Sequence, residues 1–453
     1  MVGPQIFNAR DNELLLAMPI KPSVILTSRL TGLLIVEYVF TAVIIIPAFI
    51  VLIISGYAAQ LPALGYVFFF LSALLMPLIA LALGCLIGWL VALATSRMRG
   101  KNVIMLLLSL VFLTAYFIIF SRLNDYMGTL IERGAEMADA VRRALFPAYH
   151  LGISVVRGSL PSFLIFAACA IAPFVLMCAL LSRSFVKITT AARGAKKVEY
   201  REKSLRASGA RAALLRIELR RLWSMPMYIL NASLGAIAML ALAGILIIYP
   251  NLIIGGIPIE LLSELSPDAD LMLLGVLSLT VLTTVNSVSA PSISLEGKHL
   301  WIPKSLPVPA FDILLAKVGL HVFVCGVPAL LAGIACLIAL PVNSALMAVL
   351  LFALPLLSTL MIALFGITLN LAFPRFDWIN PIQPVKQGLS TMLTLFGAMA
   401  LIAALAIICY ALMKSDILTL RVYLLLCAAL FLALSCGLFA YLKSAGCRKF
   451  EML

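Results

Sequence analysis

The polar residues that could do chemistry are few, and the densest group stands between two strongly apolar runs. Residues 296–317 begin with Glu296-Gly297-Lys298 and continue through three prolines to Lys317. The Glu-Gly-Lys triplet lacks the first glycine and the Ser/Thr of a phosphate-binding GxxxxGK[ST] loop, so we expect no nucleotide to bind this chain. The three histidines stand far apart without HExxH, and the nine cysteines form no CxxC. The sequence therefore predicts no metal site and no catalytic residue.

The elements around this group are apolar enough to span a membrane. The 453 residues are 64% hydrophobic and 11% charged, with a mean hydropathy of +1.15. Apolar runs of about 20 residues span a bilayer as helices, which predicts an all-α polytopic fold. We expect about 10 transmembrane helices, four before the middle of the chain and six after it. They are predicted at 31–56, 65–95, 103–121, 161–184, 227–250, 271–290, 313–340, 344–372, 389–413 and 420–442.

Polar side chains inside such spans are functional hypotheses by default. Glu37, Asn286 and Asn370 are predicted to face a translocation path. Two alternatives stay open: Glu37 snorkels towards Arg29 or pairs with it, and the two asparagines hydrogen-bond neighbouring helices. We expect His321 to lie at the membrane interface, and Pro77 to kink or break its span.

The segment around Pro307 recurs near the start of the chain. Pro19 and Pro307 are 288 residues apart, as are Arg29 and Lys317. In a second register, Pro77 and Pro355 are 278 apart. Because prolines and cations are rare in these apolar runs, the matches predict an internal repeat. We divide the chain into a first half at 1–184, a basic cytoplasmic connector at 185–225 and a second half at 226–453.

The charge distribution predicts the topology. The net charge is +14, and most Lys and Arg fall in the connector and in the other loops on one side. This positive-inside bias places both termini in the cytoplasm and favours the plasma membrane over nucleic acid as the partner. Within the connector, an apolar stripe predicts an interfacial helix that meets membrane lipids. Its residues are Leu215, Leu219, Leu222 and Trp223. A similar short helix is predicted against the outer surface within 122–160.

The order of these elements resembles a known family. An interfacial helix, two spans, a cytoplasmic Glu-Gly…Leu-Pro-Val…Leu-Leu-Ala-Lys segment and four more spans are similar to the permease of ATP-binding-cassette exporters of the type-2 class. The resemblance implies that this segment couples to a cytoplasmic ATP-binding subunit. It assigns that role to Glu296, Gly297, Leu306, Pro307 and Lys317, and more weakly to Pro19 and Arg29. Asn8 stands where the second half has Glu296, so the first copy departs from the pattern.

The resemblance also implies a function. It predicts the membrane subunit of an ATP-driven exporter, with ATP and Mg²⁺ on two copies of a partner ATPase and no cofactor on this chain. The first half would then lack its first two spans, through truncation or a naturally short gene. The alternatives are an ion-coupled secondary transporter and an intramembrane lipid-modifying enzyme. A stiff segment that appears twice favours a role in transmitting force between the ATPase and the spans over the alternative of an ordinary loop interrupted by prolines.

Overall fold

The computed structural model divides the chain into two compact units, residues 1–200 and 201–453. It describes residue 6 and residues 11–54, 56, 61–96, 106–116, 119–120, 142, 145–190, 209–250, 271–341, 344–415 and 418–453. The boundary falls inside the predicted connector. The predicted division into three parts therefore stays a prediction.

The described part of the first unit is helical. Its helices are α1 (Asn12–Ala17), α2 (Pro22–Ile54), α3 (Ala63–Ser96), α4 (Leu106–Tyr116), α5 (Phe146–Arg157) and α6 (Leu160–Thr190). A small apolar core joins α2, α3 and α6 through Leu30, Leu81 and Leu181. Of the helix predicted within 122–160, residues 122–141, 143 and 144 lie outside the described residues.

The second unit holds the larger core. Its helices are α7 (Ala210–Ser224), α8 (Pro226–Ala232), α9 (Leu234–Ile248), α10 (Leu271–Thr284), α11 (Trp301–Ser305), α12 (Ala310–Ala339), α13 (Ala345–Ala372), α14 (Ile382–Gln387), α15 (Leu389–Lys414), α16 (Leu420–Tyr441) and α17 (Cys447–Met452). Helix α12 packs against α9 and α13, and α13 packs against α10 and α16. Small or flexible apolar side chains such as Ala332, Cys336 and Met272 fill this core.

The all-helical membrane architecture is confirmed, and the count of ten spans is not. Seven described helices are long and apolar enough to cross a membrane, and a bent pair raises this to eight. Two shorter apolar helices, Leu106–Tyr116 and Leu271–Thr284, fall where two further spans were predicted. The first span begins at Pro22 rather than near residue 31, because proline suits the first helical turn. Of the predicted kink or break at Pro77, the break is excluded because α3 runs through that residue, and the kink stays a prediction.

Two predicted spans are interrupted in the second unit. The span predicted at 227–250 is bent by 75° between α8 and α9, at Ser233. The span predicted at 271–290 ends at Thr284, and the chain continues without α-helix through the buried residues 286–297. Both helices end where serine and asparagine side chains compete with the backbone for hydrogen bonds, which apolar counting does not register.

The order of elements around the two matched prolines is the same. In the first unit, α1 is followed by four residues that include Pro19 and then by α2. In the second, α11 is followed by residues 306–309 and then by α12. Helices α2 and α12 begin 288 residues apart, which is the offset of the prolines (310 − 22). This is a likeness of local order, and the internal repeat stays a prediction.

Helix α7 occupies the position of the predicted interfacial helix, but the face that it buries is rotated slightly from the predicted apolar stripe. Leu214, Glu218 and Leu222 are buried, whereas Trp223 is exposed. Leu215 and Leu219 are only partly buried. The helix packs against α12 rather than presenting its whole stripe to lipid. An acidic residue therefore takes a place that the sequence pattern gave to leucine.

Candidate functional site

Residues 285–299, which we call the core segment, join α10 to α11 through the interior of the second unit. Every residue from 286 to 297 is buried, although none of them is in an α-helix. Buried backbone outside regular structure must find hydrogen-bond partners, because an unpaired N–H or C=O group in an apolar surrounding is costly. The side chains around this segment supply those partners.

Two asparagines predicted from the sequence fix the ends of the core segment. Asn286 accepts a hydrogen bond from the backbone N–H of Ala236 at 2.9 Å. Asn370 accepts from the N–H groups of both Ile293 (2.8 Å) and Ser294 (3.1 Å), and it donates to the Ser294 hydroxyl at 2.7 Å. Both side chains are fully buried. They bond neighbouring elements, and their place on a translocation path stays a prediction.

The core segment also joins the two interrupted helices. The Ser287 N–H donates to the carbonyl of Ala232, the last residue of α8, at 2.8 Å. At the start of α9, the backbone of Leu282 occupies the place where Gly235 would carry a Cβ. Only glycine permits this approach, so the break at Ser233 and the end of α10 meet directly.

His321 lies against the core segment, and its place at the membrane interface stays a prediction. Its side chain is fully buried, and Nδ1 lies 3.2 Å from both the backbone nitrogen and the hydroxyl of Ser289. Since a backbone nitrogen only donates, the Nδ1 atom accepts this bond. The unwound segment needed this acceptor, whereas sequence position alone placed the residue one turn beyond Lys317.

Four charged side chains close the core segment at its far end, and we call them the charge ring: Glu218, Arg221, Glu296 and Lys317. The Lys317 Nζ atom donates to Glu218 Oε1 at 2.6 Å and to Glu296 Oε1 at 2.7 Å. The Arg221 guanidinium contacts Glu218 Oε2 at 3.0 Å and Glu296 Oε2 at 2.7 Å. Each acid therefore meets both bases, and the formal charges cancel.

The charge ring is largely sealed from water. Lys317 is 0% exposed, and its Nζ atom also donates to the carbonyl of Ser292 at 3.2 Å. Burial by itself would raise the pKa of Glu296, but the charges of Lys317 and Arg221 outweigh burial and lower it. Glu296 is therefore ionised at neutral pH. The ring ties α7, the core segment and α12 together.

Beyond the ring lies the elbow, residues 300–309, which includes α11. Gly297 precedes it with φ 55° and ψ −133°, a backbone conformation open essentially to glycine, and a Cβ there would lie 3.0 Å from the Trp378 ring. Leu306 and Pro307 are exposed, and so is Trp301 at 67%. The structure thus brings Glu296, Gly297 and Lys317 together and leaves Leu306 and Pro307 on the outer surface of the unit.

Comparison with known protein families shows which family this chain belongs to. A family model described as a membrane protein of 12 TMs matches residues 1–442. The chain belongs to this family. No curated protein and no solved structure matches it. The resemblance to ATP-binding-cassette exporters of the type-2 class is wrong, because the matching model is that of the twelve-span family and no exporter model of that class matches.

In this twelve-span family member, the first unit carries an ion pair that is simpler than the charge ring of the second unit. Arg29 donates to Asp11 at 2.7 Å, across the turn that contains the exposed Pro19. Among the described residues, Arg29 bonds Asp11 and not Glu37, and the alternative that Glu37 snorkels stays a prediction. Glu37 is half-buried on α2. In both units a cation early in the long helix thus pairs with an acid that precedes the proline turn.

Two members of the charge ring, Glu218 and Arg221, were missed from the sequence. They lie in the connector, where basic residues dominate and charges are ordinarily solvated. A signal existed, because Glu218 falls four residues from both Leu214 and Leu222, on the buried face of α7. An acid in an apolar stripe requires a buried base. The partner, Lys317, is distant in sequence and could not be named.

Proposed function

We propose that this member of the twelve-span family is a transport permease whose working parts are the interrupted helices of the second unit. The observation that carries the proposal is the meeting of α8, α9 and α10 at a buried polar segment. Irregular backbone at membrane depth is tolerated only inside protein or along a water-filled cavity, and transporters build their sites from such helices. Asn286 and the hydroxyls of Ser287 and Ser289 are the polar groups available there.

We further propose that a separate cytoplasmic subunit drives the permease by hydrolysing ATP with Mg²⁺. Two features support this. The sequence has no GxxxxGK[ST] loop of its own. The elbow presents Trp301 and Leu306 outward from a base that the charge ring makes rigid. A stiff support with an exposed apolar tip transmits a push from a docked partner, and two copies would engage one proline turn each.

An ion-coupled carrier is the second candidate, and the same interrupted helices favour it. Unwound backbone offers carbonyl and hydroxyl oxygens, which are the ligands that hard cations prefer. Here the driving ion would bind near the core segment, and no soluble partner would be needed. The two candidates therefore differ in what the purified chain requires for transport.

The test is transport in sealed vesicles made from cells with and without the chain. For the first candidate, we expect uptake that depends on added ATP and persists after a protonophore and a sodium ionophore are added. Uptake that ionophores abolish while ATP is present would transfer the assignment to the ion-coupled carrier. If candidate substrates move equally in both kinds of vesicle, the permease function itself is rejected.

Docking at the elbow is tested by extraction of the tagged chain in mild detergent. We expect a soluble nucleotide-hydrolysing subunit to co-purify with the wild type, and Trp301→Ala to lose most of it. The matched control is Trp223→Ala, since Trp223 is similarly exposed at 59% and lies outside the elbow. Equal loss in both variants, or no partner with the wild type, would end the docking proposal.

A further inference from the structure

The second unit contains a cavity of about 240 Å³ between α10, α15 and α16. Its lining is aliphatic and aromatic apart from a few hydroxyls and thiols. Leu354 and Phe431 are buried where they line it, whereas Leu277 and Tyr410 are exposed at 41% and 62%. The cavity therefore reaches from the interior of the unit to the outer surface of its helices.

The polar side chains along this cavity already have partners. The Thr280 hydroxyl donates to the carbonyl of Val276 at 2.7 Å, and the Tyr423 hydroxyl donates to that of Leu405 at 2.5 Å. The Cys409 thiol contacts the Met413 sulfur at 3.6 Å. With these donors occupied, the lining offers little to a polar ligand. An apolar cavity of this size stays dry and accepts hydrocarbon.

The length of the cavity matches one leaflet of a bilayer. Its lining residues on α16 run from Leu420, the first helical residue, to Phe431. Eleven residues of helix extend about 16 Å at about 1.5 Å each. The hydrocarbon core of a bilayer is about 30 Å thick, so this is close to half of it. Because successive long helices alternate in direction, the start of α16 lies at the end of the bundle opposite the elbow.

We propose that this cavity binds one acyl chain of a phospholipid from the leaflet opposite the elbow. Two cations stand at the level where the headgroup would lie. Lys414 is one turn beyond Tyr410 on α15, and Arg421 directly follows Leu420 on α16. Basic side chains at the ends of spans meet lipid phosphates, which favours a phospholipid over a free hydrocarbon. This site does not depend on what the permease transports.

The first experiment uses the wild-type chain in nanodiscs of phosphatidylcholine and phosphatidylglycerol. The probe is phosphatidylglycerol with a photoreactive diazirine either at the tip of one acyl chain or beside the glycerol. We expect the tip probe to label the peptide that contains Phe431, and the glycerol-proximal probe to label peptides with Leu420 or Tyr410. Labelling that is independent of probe position, or spread evenly around α15, indicates surrounding bulk lipid only and overturns the proposal.

The second experiment fills the cavity. Ala406 lines it, whereas Ala404 lies on the same helix about 200° away and does not. Ala406→Phe should lower the yield of tip labelling roughly tenfold, since excluding two methylenes of the chain weakens binding by about that factor. Ala404→Phe should leave the yield unchanged. Both are checked for a monodisperse elution profile. If Ala406→Phe does not fold, the depth dependence in the wild type decides, and equal loss in two folded variants refutes the site.

Discussion

Lys317 is the residue on which the charge ring depends most. Its ammonium group bonds two glutamates and one carbonyl without contact with water. Burying ions costs more than their attraction regains unless all are paired, and removal of one partner leaves a charge uncompensated. The ring therefore acts mainly by holding three elements in one arrangement. The protein loses stability mainly when one member of the ring is removed.

Replacement of Lys317 by methionine is the direct test of this view. Lys317→Met keeps the length of the side chain but leaves Glu218 and Glu296 with Arg221 alone. We expect a loss of about 3–5 kcal/mol in the free energy of unfolding. The measurement is denaturation in mixed micelles. Lys298→Met, at an exposed position of the same region, should change stability by less than about 0.5 kcal/mol. Equal effects would show that the ring contributes nothing particular.

Glu296 gives the ring a pH dependence. Its pKa is below the ordinary value of 4.5 in the folded protein, so its stabilising contribution is present above pH 4.5 and is lost as pH falls through the lower, folded value. The thermal unfolding midpoint of the wild type should therefore drop as pH falls below about 4.5. Glu296→Gln should show a lower midpoint at pH 7 and a flatter profile below 4.5. A profile as steep as that of the wild type would assign the dependence to other carboxylates.

Gly297 makes a separate prediction about the backbone. Alanine at this position would need φ near 55° with ψ near −133°, and its Cβ would press on Trp378. Gly297→Ala should cost about 1–3 kcal/mol and weaken the elbow. Gly437 lies inside α16 with open space around it, so Gly437→Ala should be neutral or slightly stabilising. Thermal melts of the two variants in the same detergent provide the comparison.

At the scale of elements, the core segment is held by hydrogen bonds to the elements around it. Asn370 reaches in from α13, Asn286 of the segment itself bonds the start of α9, and Trp378 donates to the carbonyl of Ser294 at 2.7 Å. A segment of this kind keeps one conformation only while its donors are paired. We therefore expect the loss of one partner to loosen this segment more than the helices around it.

Asn370→Ala should loosen this segment selectively. It removes the acceptor of two buried N–H groups, each worth about 1–3 kcal/mol when left unpaired. Hydrogen exchange at residues 288–297 should accelerate by at least about tenfold, while α12 keeps its protection. The control is Asn380→Ala, which removes a single bond to the Ile382 N–H near the surface. Uniform acceleration across the unit would mean general destabilisation and would refute a local role.

How well the sequence predicts an element depends on whether the element is determined by neighbouring residues or by partners distant in the sequence. Long apolar runs predict α2, α3, α6, α12, α13, α15 and α16 well, because their length and hydropathy are local properties. The end of α10 at Thr284 is only partly local: Asn286, Ser287 and Ser289 disfavour a helix there, but distant partners such as Asn370 and Lys317 stabilise the alternative. Glu218 illustrates the same limit, since its burial depends on a base 99 residues away.

At the scale of the whole molecule, two features recur in both units: a proline turn between a short and a long helix, and an ion pair across it. Arg29 with Asp11 and Lys317 with Glu296 are chemically alike, although the first acid is displaced by three residues from the repeat register (299 − 296). The likeness is local, and its meaning depends on whether both turns face the same side of the membrane. The positive-inside pattern predicts that they do.

Labelling of single cysteines decides this in intact cells. In a background with the nine native cysteines replaced, Ile20→Cys and Ile302→Cys place one thiol beside each proline turn, and both positions are exposed. A membrane-impermeant maleimide should modify neither from outside and both after the membrane is opened, because both turns are predicted to be cytoplasmic. Ile20→Cys that reacts from outside while Ile302→Cys does not would place the turns on opposite faces. Two docked copies of one subunit could then not drive both units, and the repeat would lose its mechanical meaning.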